Sequence, residues 1–271
     1  KAQMPALQMF ALAVLAGAFI ALGGMFATTV AAGSFTVSGV GEGVTATIAW
    51  PTGLQRLLSG VVFTLGLLLV VVGGAELFTG NNLIVMAWAS RKVSSGLLLR
   101  NWTIVYLGNF AGAIATAVLV LLTRQYTFSQ GAIGLQALTT ANAKSGLEFV
   151  QAIALGILCN ALVCMAVCLT YSARSTTDKL AAMIFPIAAF VAAGFEHSVA
   201  NMYFIPLGMM IKAVAPASFW VQIGHTPADF PALTPANFLL NNLLPVTIGN
   251  IVGGGVLVGA AYWFIYLRGR G

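Results

Sequence analysis

Six apolar stretches run along this chain, at about 7–30, 57–90, 101–123, 147–171, 179–211 and 238–267, divided by segments rich in Gly, Ser, Thr, Pro or basic residues. A helix needs about 20 apolar residues to cross a bilayer, and every stretch supplies at least that. The second and fifth are too long for one straight crossing and hold polar groups at their centres: Gly74-Ala-Glu76-Leu-Phe-Thr79-Gly-Asn81 and Gly194-Phe-Glu196-His197-Ser-Val-Ala-Asn201. Each predicts two half-helices joined by irregular backbone, which the hydrocarbon core tolerates only where protein buries it or a cavity borders it.

The two interrupted stretches are one pattern written twice. Glu76 follows Gly74 as Glu196 follows Gly194, and Asn81 follows Glu76 as Asn201 follows Glu196. Gly108-Asn109-Phe-Ala-Gly112 is matched by Gly249-Asn250-Ile-Val-Gly253, each opening the second half of its stretch. The chain therefore reads as one transmembrane channel domain over 1–271 built from two repeats, about 7–123 and 147–267. Three crossings per repeat turn the second upside down relative to the first. Internal repeats with glycine-interrupted spans mark channels and secondary transporters whose site lies at the repeat interface. The expected fold is all-α: a polytopic membrane protein of six transmembrane helices in two inverted three-helix repeats, with helices 2 and 5 broken.

Composition closes off the soluble alternatives. With 59% hydrophobic and 7% charged residues and a mean hydropathy of +0.96, the chain has more apolar surface than a water-soluble domain buries. The net charge of +6 does not point to nucleic acid, because the basic residues stand singly between apolar stretches instead of forming the clustered face that phosphate binding needs. They report topology. Six crossings put Lys1, Arg91, Lys92, Arg100, Arg174, Lys179, Arg268 and Arg270 on the side of both termini, against Arg56, Arg124, Lys144 and Lys212. This bias predicts a multi-pass membrane protein with both termini cytoplasmic. Trp50, Trp102, Trp220 and Trp263 fall near stretch ends, as interfacial anchors do. Residues 1–5 read as the remnant of a longer polar N-terminus. The first stretch reads as a retained span, because it lacks a small-residue cleavage pattern. Cys159, Cys164 and Cys168 lie on one apolar helix with no His nearby, which favours small buried residues over a metal or disulfide site. No metal and no cofactor is expected.

Burying a charge at membrane depth costs at least about 2.5 kcal/mol, so Glu76, Glu196 and His197 must face protein, water or one another. Glu76 and Glu196, with Asn81 and Asn201, read first as scaffold: a carboxylate beside a helix break accepts bonds from backbone N–H groups left without partners. His197 has no counterpart, since Leu77 stands in its place, and a polar residue that breaks the repeat suits cargo better than scaffold. Thr79, Asn160, Asn109 and Asn250 are pore groups or interhelical hydrogen bonds. Phe63, Phe78 and Phe190 are apolar constrictions or ordinary packing. Half-helix N-termini aim partial positive charge at the midplane, and a basic residue such as Lys144 raises the local anion concentration. Small anions fit this better than cations, for which neither an acidic ring nor a carbonyl filter is present. A hydrolase built from Glu196, His197 and Ser198 is disfavoured because consecutive residues on a helix point apart, and HExxH is absent.

The motifs at 74–80 and 194–202, together with Pro-Val-Thr-Ile-Gly-Asn-Ile-Val-Gly-Gly-Gly at 245–255, resemble the formate/nitrite transporter family over nearly the whole chain. The ending at 262–268 is most similar to its bacterial formate-channel branch. The resemblance implies an aquaporin-like protomer in a homopentamer, one pore each, passing formate and related small anions in contact with membrane lipid. It implies an outer constriction of Phe63 and Phe190 and an inner one of Leu67, Phe78 and Val163. Thr79 and His197 would hydrogen-bond in the chamber between them, with Lys144 in the vestibule and Asn160 and Asn250 along the pore. It further implies an N-terminal segment involved in gating and in contact with a cytoplasmic enzyme of formate metabolism. Nitrite, hydrosulfide or a neutral solute are the alternative cargoes, and a purely structural membrane subunit would leave the unmatched His197 without purpose.

Overall fold

The computed structural model describes residues 1–33, 35–38, 45–48 and 50–268; Glu42 and Arg270 lie outside them. Helix α1 spans Ala6–Ala31. A short antiparallel hairpin, β1 Phe35–Ser38 and β2 Thr45–Ile48, pairs Phe35 with Ile48 and Ser38 with Thr45; that segment reads only as a Gly/Ser/Thr-rich loop in sequence. Helix α2, Thr52–Val72, stops at the first break, and the chain resumes as α3 Phe78–Asn81, a 3-10 turn over Asn82–Ile84 and α4 Val85–Ala89. Helix α5, Ser95–Leu122, starts several residues before the predicted 101 because Ser94 caps it, its hydroxyl accepting from the Leu97 N–H.

The segment 124–146, expected as a polar stretch between spans, is instead largely helical: α6 covers Ala132–Ser145 and carries Lys144 in its last turn. Its Thr, Asn and Gln content hides it from a hydropathy reading. What holds it is packing, with Ala137, Leu138 and Ala141 buried on the side facing α9. The second half follows as α7 Phe149–Thr170, α8 Thr176–Ala193, α9 Ser198–Val214, α10 Ala217–Ile223 and α11 Asn237–Leu267, the last winding through three wide π-helical segments. The fifth span breaks only over 194–197, so Asn201 stands inside the first turn of α9. Among the described residues six helices, one in each predicted stretch, are long and apolar enough to cross a membrane. Apart from the hairpin the described fold is all-helical, with the second and fifth spans broken.

Equivalent helices pack alike in the two halves. In the first, α1 lies against α2 and α5; in the second, α7 lies against α8 and α11. The α1–α5 seam closes on Gly108 and Gly112, where a Cβ would strike Ala13 and the Val14 carbonyl, and the α7–α11 seam on Gly249 and Gly253, where it would strike the carbonyls of Ile153 and Ile157. Backbones come this close in apolar surroundings because association there rests on van der Waals contact. The halves meet through α2 on α8 and α5 on α9, and both breaks lie on that seam.

Candidate functional site

Each break is built by the same bonds. Gly74 and Gly194 adopt φ of +69° and +76°, the left-handed region open to glycine at little cost, and this reverses the chain out of α2 and α8. The Ala75 N–H then bonds the Val70 carbonyl and the Phe195 N–H bonds that of Phe190, both at 2.9 Å. The N–H groups of Glu76 and Glu196 reach the Leu12 and Leu155 carbonyls of the neighbouring helices.

The first N–H of each resumed helix is taken by an asparagine from the third span of its half, not by a carboxylate. Asn109 Oδ1 accepts from the Phe78 N–H at 2.9 Å while its Nδ2 donates to the carbonyls of Ala13 and Glu76. Asn250 does the same, accepting from the Ser198 N–H at 2.9 Å and donating to the carbonyls of Gly156 and Glu196. Asn250, expected along the pore, is fully buried and clamps the second break, as Asn109 clamps the first.

The carboxylates instead gather side chains. Glu76 Oε2 accepts from Asn81 Nδ2 at 2.7 Å, and that amide also reaches Asn101 Oδ1. Glu196 Oε2 accepts from Asn201 Nδ2 at 2.6 Å and from Asn242 Nδ2 at 3.2 Å. A lysine closes each node: Lys1 Nζ lies 3.0 Å from Glu76 Oε1, and Lys144 Nζ lies 2.7 Å from Glu196 Oε1. Buried charge persists at this depth because it is paired and hydrogen-bonded. Lys144 is thus an internally compensated wall group, whereas its sequence context suggested a cation held ready for anions.

Three of these members, Lys1, Asn101 and Asn242, escape the sequence reading, although the repeat encodes them. Asn101 stands as far before Asn109 as Asn242 before Asn250, and Lys1 as far before Leu12 as Lys144 before Leu155. Without a packed partner to confirm the register, single asparagines and a terminal lysine carry no signal.

Between the nodes lie the residues that do not repeat. His197 Nε2 is 3.0 Å from Thr79 Oγ1, joining one break to the other. His197 Nδ1 accepts from the Ala200 N–H at 3.1 Å, so the neutral ring carries its proton on Nε2, directed at Thr79. Asn160 Nδ2 shares its two protons among the Thr79 carbonyl, Asn82 Oδ1 and the Asn250 carbonyl, touching both halves. Cys164 Sγ adds a contact to the Thr79 carbonyl. Among the described residues no group of three or more His, Cys, Asp or Glu side chains is placed to hold a metal ion.

Two cavities approach this junction from opposite sides. One, of about 440 Å³, runs from Gln55 and Arg56 past Lys144 and Glu196 to Phe63, Phe190 and His197. The Phe63 and Phe190 rings meet edge to face with centroids 5.7 Å apart, and Phe190 stacks on the imidazole at 6.0 Å. The other, of about 340 Å³, is lined by Lys1, Asn81, Val70 and Tyr171 and ends on Leu67 and Leu77. Phe78 and Val163 are buried nearby and line neither cavity. The Phe78 ring packs on Trp102 and Tyr106 of α5.

Two inverted bundles, each broken at mid-membrane, with aqueous cavities on both sides of a polar junction behind apolar rings, define a membrane pore protein of the broken-helix type. Residues 1–264 match the formate/nitrite transporter family model, and the chain belongs to that family. It is 46% identical over 268 residues to the formate channel FocA of Escherichia coli, covering 99% of this chain and 90% of that protein. It is 42% identical to the FocA of Haemophilus influenzae over 91% of this chain and 82% of that one. Among solved structures, a pentameric formate channel with formate bound superimposes with a TM-score of 0.86 at 46% identity, covering 97% and 98% of the two chains.

Proposed function

We propose that this chain forms a homopentameric channel for formate and related small monovalent weak-acid anions in the bacterial inner membrane, both termini cytoplasmic, with pH dependence set at His197. The observation that carries the reading is the 3.0 Å contact between His197 and Thr79, in which the imidazole Nε2–H donates to Oγ1 and leaves the Thr79 hydroxyl proton free for cargo. The formate channels to which the chain is similar support the substrate class.

The mechanism follows from the junction's chemistry. An anion in the Lys144 vestibule meets Phe63 and Phe190, which offer it no hydrogen bond, so entry is costly for a bare charge and cheaper for the neutral acid. Beyond them the Thr79 hydroxyl, its oxygen accepting the His197 Nε2–H, donates to the anion in place of a water. For the ring to deliver a proton it must first gain one at Nδ1, displacing the Ala200 N–H. The imidazolium then passes its Nε2 proton to the carboxylate, giving neutral formic acid and a neutral imidazole. The acid leaves past Leu67, Phe78 and Val163. Asn160 and Asn250 hold the backbone around Thr79 and Ser198 so that the donors stay aligned.

Proteoliposome flux measurements with formate, nitrite, lactate and chloride, alongside osmotic swelling with a neutral solute, test the reading. Formate and nitrite should pass much faster than chloride. Swelling with the neutral solute in the absence of formate flux would overturn the proposal.

A further inference from the structure

We infer that Arg56 supplies the net positive charge of the outer vestibule and its first station for an anion, leaving Lys144 to the scaffold; the inference rests on the anion-channel reading above. Three charged side chains line the 440 Å³ cavity besides the imidazole: Arg56, Lys144 and Glu196. Lys144 and Glu196 are in contact at 2.7 Å, and the Lys144 carbonyl is itself tied to Asn242. Seen from the cavity mouth the pair is a neutral dipole, and what remains is one positive charge on Arg56.

The guanidinium is placed and equipped for this. Arg56 is exposed and has no acidic partner among the described residues. Its one hydrogen bond runs from Nη1 to the Ala192 carbonyl near the end of α8, at 3.4 Å. Of its five donors one is engaged, and a planar fork matches a carboxylate bidentately. Arg56 and Phe63 are two helical turns apart on one face of α2, about 10 Å along the axis, with Ser59 and Gly60 between them, and the guanidinium reaches across to the Ala192 carbonyl, two residues past Phe190. The hydroxyls of Thr139 and Thr140 border the same space. A small anion therefore meets the guanidinium before the apolar ring.

The test is the formate-concentration dependence of initial flux through the full pentamer in proteoliposomes at low and high salt. At low salt, Arg56→Gln should raise the half-saturating formate concentration about threefold without changing the maximal rate, the scale of one unit charge acting through water at contact range. At about 0.5 M salt, where the screening length is a few Å, the difference should vanish, and Arg56→Lys, which keeps the charge but not the fork, should recover part of the low-salt affinity. An Arg56→Gln curve identical to the unsubstituted one at low salt overturns the inference. So does a lowered maximal rate that persists at high salt, which assigns Arg56 to holding the Ala192 carbonyl instead. Absence of formate flux from the unsubstituted pentamer sinks the channel reading and this one together, whereas normal formate flux with an indifferent Arg56→Gln sinks this one alone.

Discussion

In the first half Glu76 is held by Asn81 and Lys1, and Asn109 caps the resumed helix; in the second Glu196 is held by Asn201, Asn242 and Lys144, and Asn250 makes the cap. Yet Leu77, Phe78 and Thr79 stand where the second half has His197, Ser198 and Val199. Gly17 and Ala113 stand where it has Asn160 and Gly254. A Cβ on Gly17 would overlap the Asn109 carbonyl, and one on Gly254 would overlap the Asn160 amide. What repeats is what breaks the helices, and what differs is what lines the junction. A duplicated bundle thus supplies the frame, and divergence at a few positions supplies the chemistry.

The largest expected effect comes from removing one member of a paired node. Lys144→Met leaves the almost wholly buried Glu196 carboxylate without its cation, and should cost about 3 kcal/mol, read as a fall in the thermal midpoint of the purified protein. Lys1 is half exposed, so water replaces it, and Lys1→Met should cost under about 1 kcal/mol. Equal losses would mean that exposure does not distinguish the nodes.

Next, Asn109→Ala and Asn250→Ala each strand one N–H and two carbonyls. Each should cost about 2 kcal/mol or more, and by the same amount in either half. Thermal unfolding of both variants checks this, and a silent Asn250→Ala would return that residue to a pure pore role.

Gly254→Ala should cost about 1–3 kcal/mol by overpacking against Asn160. Thermal unfolding checks this, and a silent Gly254→Ala would show that Asn160 gives way without cost.

The smallest effect lies in the loop after α10, which has no counterpart in the first half. There the Thr226 N–H, before all other contacts, holds the Asp229 carboxyl below the usual carboxylate range. Because the folded value is depressed, the stabilisation is present above about pH 4 and is lost as pH falls through the folded value. Asp229→Asn should therefore lower the thermal midpoint slightly at neutral pH, and the gap from the unsubstituted protein should close in acid. A gap independent of pH would assign the effect to something other than charge.

Much of this was legible in the residues alone. The six spans, the two breaks and the Glu76/Glu196, Asn81/Asn201 and Asn109/Asn250 matches follow from hydropathy and spacing, because the bilayer forces backbone bonds to close inside the protein. Two things were not. Helix α6 is too polar to register as apolar and owes its form to packing on α9. The division of labour between carboxylates and asparagines depends on which oxygen faces which N–H, a matter of fractions of a turn that spacing does not resolve. Sequence placed Glu76 and Glu196 beside the breaks correctly but assigned them the bonds that Asn109 and Asn250 make.

The pH dependence of formate flux through pentamers carrying His197→Leu, the residue the first half already has at that place, tests the division between frame and lining most directly. An assembled pentamer of near-normal thermal midpoint is expected, whose inward formate flux has lost the pH dependence of the unsubstituted channel. A pentamer that imports formate with unaltered pH dependence, or one that fails to assemble, would contradict that division.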